Sequence, residues 1–148
     1  MKIKWKRLLG SLVIVYFVAL IGSFFIGNTN SDWYNTIKPS ITPPNWVFPV
    51  VWNILFFLIG ISFYFVLISK NKKAAAFFIA NFALNILWVL FYFQLKNPLL
   101  AFYEILVLWI SIILLFNITW KINKKAFYFL IPYFVWVSFA VLLNYLSI

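Results

Sequence analysis

Five stretches of this chain are apolar almost without interruption: about residues 8–27, 46–68, 74–94, 98–119 and 126–146. Each is around twenty residues long, enough to cross a hydrocarbon layer at about 1.5 Å of rise per residue. None shows the alternation over about ten residues that marks a membrane β-strand, so the pattern predicts helices rather than a barrel. The breaks between them are short and polar with one exception. Pro98 suits the first turn of the fourth span, where no backbone N–H partner is needed. The exception is the segment 28–45, which carries Trp33, Tyr34, Lys38, Pro39, Pro43 and Pro44 and leads through Trp46 into the second span. A connection this long and aromatic points to function, and the prolines predict an ordered, partly extended lid without helix. The expected fold is an all-α integral membrane protein, a single five-helix bundle.

Composition agrees. The chain of 148 residues is 66% hydrophobic with only two acids, and its mean hydropathy is +1.03. Lipid must be the solvent for that much apolar surface. The formal charge of +10 is compatible with nucleic acid binding until its distribution is considered. Lys2, Lys4, Lys6 and Arg7 precede the first span, Lys70, Lys72 and Lys73 follow the second, and Lys121, Lys124 and Lys125 follow the fourth. Only Lys38 and Lys96 occupy the alternate connections. This asymmetry predicts a cytoplasmic N-terminus and an external C-terminus, and no nucleic acid partner. The basic start lacks a small-x-small cleavage site and its apolar run is too long for a signal peptide, so it is expected to stay as a span. Without cysteine or histidine there is no disulfide, zinc site, cysteine nucleophile or histidine base, and a haem iron could find only tyrosine. Lysine over arginine, with abundant isoleucine, asparagine and phenylalanine, points to AT-rich bacterial coding and the plasma membrane.

Polar and indole side chains within the spans require a reason, because an unpaired polar group in lipid costs several kcal/mol. Asn81 and Asn85 stand at i and i+4 in the third span, with Trp88 one turn further on. Pro132, Trp136, Ala140 and Asn144 recur every four residues in the fifth and are expected to share a face. Trp52 lies two turns inside the second. Helical rise puts Trp52 and Trp88 roughly 9 Å, Asn85 about 14 Å and Trp136 about 15 Å below the outer helix ends. All four therefore lie beneath the lid, an arrangement suited to a flat, largely apolar ligand held by stacking and one or two hydrogen bonds. Competing readings exist. Trp5, Trp33, Trp46 and Trp120 fit an interfacial belt, Asn81 and Asn117 fit helix–helix bonding, and Asn53 and Asn144 fit either role. Glu104, the one acid within a span, reads equally as a ligand contact or proton acceptor and as an acid bonded to a neighbouring helix, Lys38 or Lys96. With no second acid in a span and no histidine there is no proton relay, which disfavours a proton-coupled carrier. Ala76, Ala80 and Ala83 form a small-residue seam for a homodimer or for packing within the chain.

These residues resemble the TspO/MBR family, the tryptophan-rich sensory and translocator proteins. Trp33-Tyr34…Lys38-Pro39…Pro43-Pro44…Trp46-Val47-Phe48…Trp52 is similar to its first-loop signature. Asn85-Ile86-Leu87-Trp88, then Phe91, Ala101 and Glu104, is similar to its third and fourth helices, and Leu130 to Ala140 with Leu143-Asn144 to its fifth. The resemblance implies a five-helix bundle, often a homodimer, that binds tetrapyrroles such as protoporphyrin IX or haem-like rings. It implies ligand contacts from Trp33, Tyr34, Trp52, Asn85, Trp88, Trp136 and Ala140, with Phe48, Glu104 and Asn144 as secondary candidates. No further cofactor is expected. Sensing, sequestration or trafficking of the ring follows as the leading role. The alternative is light-dependent porphyrin degradation through Trp52 and Trp136, ahead of a small-molecule carrier or a scaffold. The family's sterol pattern needs a basic residue after Tyr145, and only Leu146, Ser147 and Ile148 follow. Pro49 also stands one residue earlier than the proline common at the start of the family's second helix.

Overall fold

The structure, a computed structural model, describes residues 2–148. Among them lie α1 (Trp5–Ile26), α2 (Asp32–Ile37), α3 (Val47–Ser69), α4 (Lys72–Val89), a π-helical turn (Leu90–Gln94), α5 (Pro98–Ile122) and α6 (Lys124–Tyr145). With the π turn continuing α4, five helices are long and apolar enough to cross a membrane. The all-α five-span architecture expected from the hydropathy pattern is borne out, and the chain is an integral membrane protein.

Short polar links enforce the up-and-down path. Lys70 turns into the left-handed region at φ 58° to end α3, and Asn71 Oδ1 accepts from the Ala74 N–H to start α4. Asn97 caps α5 in the same way through Leu100 N–H, with Pro98 following. A single residue, Asn123, separates α5 from α6: its own N–H closes α5 on Thr119 O and its side chain accepts from Lys125 N–H. Such caps satisfy terminal backbone groups that lipid cannot serve.

The spanning helices close a ring in which α1 neighbours α3, α3 neighbours α6, α6 neighbours α5, α5 neighbours α4, and α4 returns to α1. The half of the bundle at the basic end is solidly filled. Phe63 packs on Phe78 and Phe82 at ring-centroid distances of 5.2 and 5.4 Å, and Val66, Ile112, Leu115 and Leu130 are completely buried around them. Gly60 lets α1 approach α3 closely: a Cβ there would lie 2.6 Å from Leu12 Cδ2. Leu9, Val13, Phe17, Leu20 and Phe24 leave the outer face of α1 apolar and exposed, as lipid contact requires.

Two features differ from the sequence expectation. First, α1 begins at Trp5, so Lys6 and Arg7 are helical. Arg7 Nη1 donates to Leu67 O near the C-terminus of α3 at 3.2 Å, a favourable place for a cation. Long basic side chains reach water from within a helix, so hydropathy under-reads such ends. Second, the lid contains a helix, α2, before its prolines. Ser31 Oγ accepts from Tyr34 N–H to cap it. Proline constrains itself and the residue before it, and Lys38 is accordingly extended at φ −64°, ψ 131°. Upstream residues stay free to coil. Beyond Pro39 the lid is a series of turns, pinned to its own start by Asn45 Nδ2 donating to Asn30 Oδ1 at 2.9 Å.

Candidate functional site

A cavity of about 410 Å³ occupies the other half of the bundle, under the lid. Packing changes along the bundle axis: aromatic side chains fill the basic end, and Gly22 of α1 and Ala140 of α6 are among the residues that line the cavity. From α3 come Phe48, Trp52 and Phe56, from α4 Asn85 and Trp88, and from α6 Trp136 and Ala140. Tyr34, Pro39 and Thr42 reach in from the lid, and Tyr92 and Phe93 from the π turn. Widening of the helix there, with Leu95 N–H bonded to Leu90 O at 2.9 Å, turns both of these rings inward.

The aromatic wall has two clusters. Trp52 lies 5.4 Å from Phe56, 6.4 Å from Trp88 and 6.3 Å from Tyr133, centroid to centroid. Phe48 meets Trp136 edge-on at 5.8 Å. Pairs at these separations gain more than their buried area alone provides.

Polar groups divide into spent and free. Trp88 Nε1 donates to Asn144 Oδ1 at 3.0 Å, and Asn144 Nδ2 donates to Ala140 O at 2.8 Å. Asn144 lines the cavity, but its amide locks α4 to α6. Asn85 Nδ2 donates to Tyr133 Oη at 3.4 Å, Tyr133 Oη to Asn81 Oδ1 at 3.1 Å, and Asn81 Nδ2 to Ser111 Oγ at 2.7 Å. The chain ends on a backbone carbonyl, Leu108 O. Asn85, itself buried, lines the cavity with an amide whose Oδ1 accepts nothing among the described residues. Trp52 and Trp136 likewise keep their indole N–H groups free among the described residues, whereas Trp88 and Trp109 do not. In the lid, burial first and neighbouring Tyr92 second push the Tyr34 phenol up to about 12, so it stays neutral.

Of the ligand contacts implied by the resemblance, Tyr34, Trp52, Asn85, Trp88, Trp136 and Ala140 line the cavity, together with Phe48 and Asn144. Trp33 does not. Its ring packs on the outer side of Tyr92 at 5.9 Å and carries Lys96 Nζ at 5.9 Å. Glu104 is buried on α5, outside the cavity lining, and neither of its oxygens has a partner among the described residues. The expected bond to a neighbouring helix or to Lys38 or Lys96 is therefore not made, because those lysines sit over Tyr34 and Trp33. Ala76, Ala80 and Ala83 face outward from α4, so they do not pack within the chain. Pro132 is exposed and leaves the shared face. A spacing of four drifts by about 40° per step on a helix of 3.6 residues per turn, and the buried stripe is instead Tyr133, Val137, Ala140 and Asn144. Tyr133, the hub of the amide network, was missed for that reason. Tyr92 carried a usable signal, one turn beyond Trp88.

Among the described residues no group of acids is placed to hold a metal ion. Comparison with known proteins agrees with this architecture over most of the chain. A profile of the TspO/MBR family matches residues 11–147. The chain is 36% identical over 143 residues to the tryptophan-rich protein TspO of Archaeoglobus fulgidus, covering 94% of this chain and 93% of that one. It is 37% identical over 134 residues to the protein of the same name from Chlorobaculum tepidum, covering 86% and 85%. It is 34% identical over 143 residues to protein CrtK of Rhodobacter capsulatus, covering 91% and 89%. The latter two organisms are bacteria, in keeping with a plasma-membrane location. By the profile match and by identity to these relatives, the chain belongs to the TspO/MBR family.

Proposed function

We propose that this protein binds a tetrapyrrole, protoporphyrin IX or a related haem-like ring, in the cavity under the lid, with the lid outside the cell and the N-terminus in the cytoplasm. Its role is then to sense, sequester or traffic that ring. The observation that carries this reading is a cavity of about 410 Å³ whose wall presents Trp52, Trp88 and Trp136 together with the free amide oxygen of buried Asn85. Broad indole faces bind a flat conjugated ring by stacking, and a few fixed polar atoms orient it. Asn85 Oδ1 can accept from a pyrrole N–H, and its position is held by the chain through Tyr133 and Asn81. Protoporphyrin IX should quench tryptophan fluorescence saturably in detergent. Trp136→Ala and Asn85→Ala should each weaken binding about three- to tenfold, the scale of one aromatic or amide contact. Unchanged affinity in both variants would contradict the assignment.

A second reading has its own support. Trp52 adjoins Trp88 and Tyr133, so an excited ring at Trp52 has successive electron donors within about one ring's width. Light-dependent degradation then requires a defined product under illumination that disappears in Trp52→Phe or Trp136→Phe. Bleaching that persists in both variants points to chemistry free in solution.

A further inference from the structure

Trp136 stands between two spaces. One is the cavity under the lid. The other is a groove of about 590 Å³ between α3 and α6, lined by Val51, Ile54, Val135, Phe139 and further apolar residues. Trp136 is the one residue that lines both. The groove faces lipid, since Ile54 is 55% and Val135 61% exposed within membrane spans. A single indole therefore borders both the cavity and the hydrocarbon of the bilayer.

The same seam is where α6 is least fastened. Towards α4, Trp88 Nε1 donates to Asn144 Oδ1 at 3.0 Å, and towards α5, Trp109 Nε1 donates to Ser138 Oγ at 2.8 Å. Towards α3 the one hydrogen bond among the described residues, Ser62 Oγ to Ala126 O at 2.8 Å, lies at the packed end. At the level of the cavity α3 and α6 meet through rings, Phe48 on Trp136 at 5.8 Å and Trp52 on Tyr133 at 6.3 Å. The α1–α4 seam also lacks a side-chain hydrogen bond among the described residues, but there the helices pack close, with a Cβ on Gly22 placed 4.0 Å from Val89 Cγ2. The lid is held by Asn45 Nδ2 on Asn30 Oδ1 and by Tyr34 against Tyr92 and Phe93, at 6.4 and 5.8 Å.

We propose that the cavity is loaded sideways from the membrane leaflet on the lid side, through the α3–α6 seam, with the Trp136 side chain as its door. Turning this indole off Phe48 breaks no hydrogen bond among the described residues, and side-chain rotation is fast compared with the movement of a loop. Lifting the lid breaks the Asn45–Asn30 bond and uncovers Tyr34. An apolar guest is concentrated in hydrocarbon and scarce in water. The lateral route meets it where it is dissolved and leaves the lid shut. Any flat apolar guest would use this route, so the door stands or falls separately from the tetrapyrrole reading.

Ala140→Cys puts one thiol on the buried cavity wall of a chain that has no other cysteine. In nanodiscs, the flat apolar reagent N-(1-pyrenyl)maleimide should label it faster than a sulfonated maleimide confined to water. Ile54→Trp and Val135→Trp fill the groove from its two banks without touching the cavity lining. Each should slow pyrene labelling about tenfold, the effect of about 1.4 kcal/mol of added barrier. Val13→Trp, on the exposed face of α1, should leave the rate unchanged. Unfolding uncovers the thiol and speeds labelling, so a damaged bundle does not imitate the slowing. Trp136→Ala removes the door and should speed pyrene labelling while the sulfonate stays slow. Pyrene labelling that either groove variant leaves unslowed overturns the lateral route. Equal slowing by Val13→Trp overturns it too, as does a sulfonate that labels as fast as pyrene. Labelling reads the route without protoporphyrin, so a failed porphyrin titration contradicts the tetrapyrrole reading alone.

Discussion

Asn85 stands at the head of a hydrogen-bond chain that runs away from the cavity, so its Nδ2 is committed and its Oδ1 is not. A single hydroxyl, that of Tyr133, couples the two asparagines. Tyr133→Phe keeps the ring that meets Trp52 and removes the group that accepts from Asn85 and donates to Asn81. Two buried amides then lose a partner, at a cost of about 1–3 kcal/mol in total; measured couplings within membranes favour the lower end. Unfolding in detergent should show that loss, and porphyrin affinity should fall with it because Asn85 is no longer held. Unaltered stability would mean the network is dispensable. At this scale the sequence was only partly legible. Trp52, Asn85, Trp88 and Trp136 stood out as polar or indole groups at one depth, whereas Tyr133 had no contrast in a chain that is 24% aromatic. Glu104 was conspicuous as the lone acid of the spans, yet nothing in its neighbours along the chain says that both oxygens go unpaired.

Among the elements, the spans were legible because lipid demands unbroken apolar runs, and the pairing of α1 with α3 was not. Gly60 reads as one small residue among many until Leu12 is found against it. Gly60→Ala asks only that the tip of Leu12 turn aside, since the Leu12 Cα stays 3.6 Å away. Gly60→Leu must push α1 from α3, and overpacking of this kind costs about 1–3 kcal/mol. A stability series of glycine, alanine and leucine should therefore step down sharply only at leucine. Equal losses for both substitutions would show that Leu12 cannot move. The lid helix escaped prediction for a local reason: three prolines dominate the segment, but their restraint stops at Lys38, leaving Ser31 free to cap a turn upstream. That turn is what presents Tyr34 to the cavity and leaves Trp33 half-buried against Tyr92, off the cavity lining.

For the whole molecule, one half of the ring is packed solid and the other hollow, and charge follows the same axis. The basic residues around the start of α1, the α3–α4 link and the α5–α6 link share the packed end, and Lys38 and Lys96 share the hollow one. In the orientation proposed from the positive-inside rule, the cavity and the C-terminus lie outside. A reporter active only in the cytoplasm should be silent when fused after Ile148 and active when inserted at Asn123; the reverse pattern would invert the bundle. The outward stripe of Ala76, Ala80 and Ala83 is open for close approach by a second copy, which cysteine cross-linking along α4 can test. The hollow half is proposed to hold a porphyrin. A structure determined with protoporphyrin IX bound tests it most directly. The ring is expected between Trp52 and Trp136, with Asn85 Oδ1 at the pyrrole nitrogens. A ring bound only on the lipid-facing surface, with the cavity unoccupied, would contradict it.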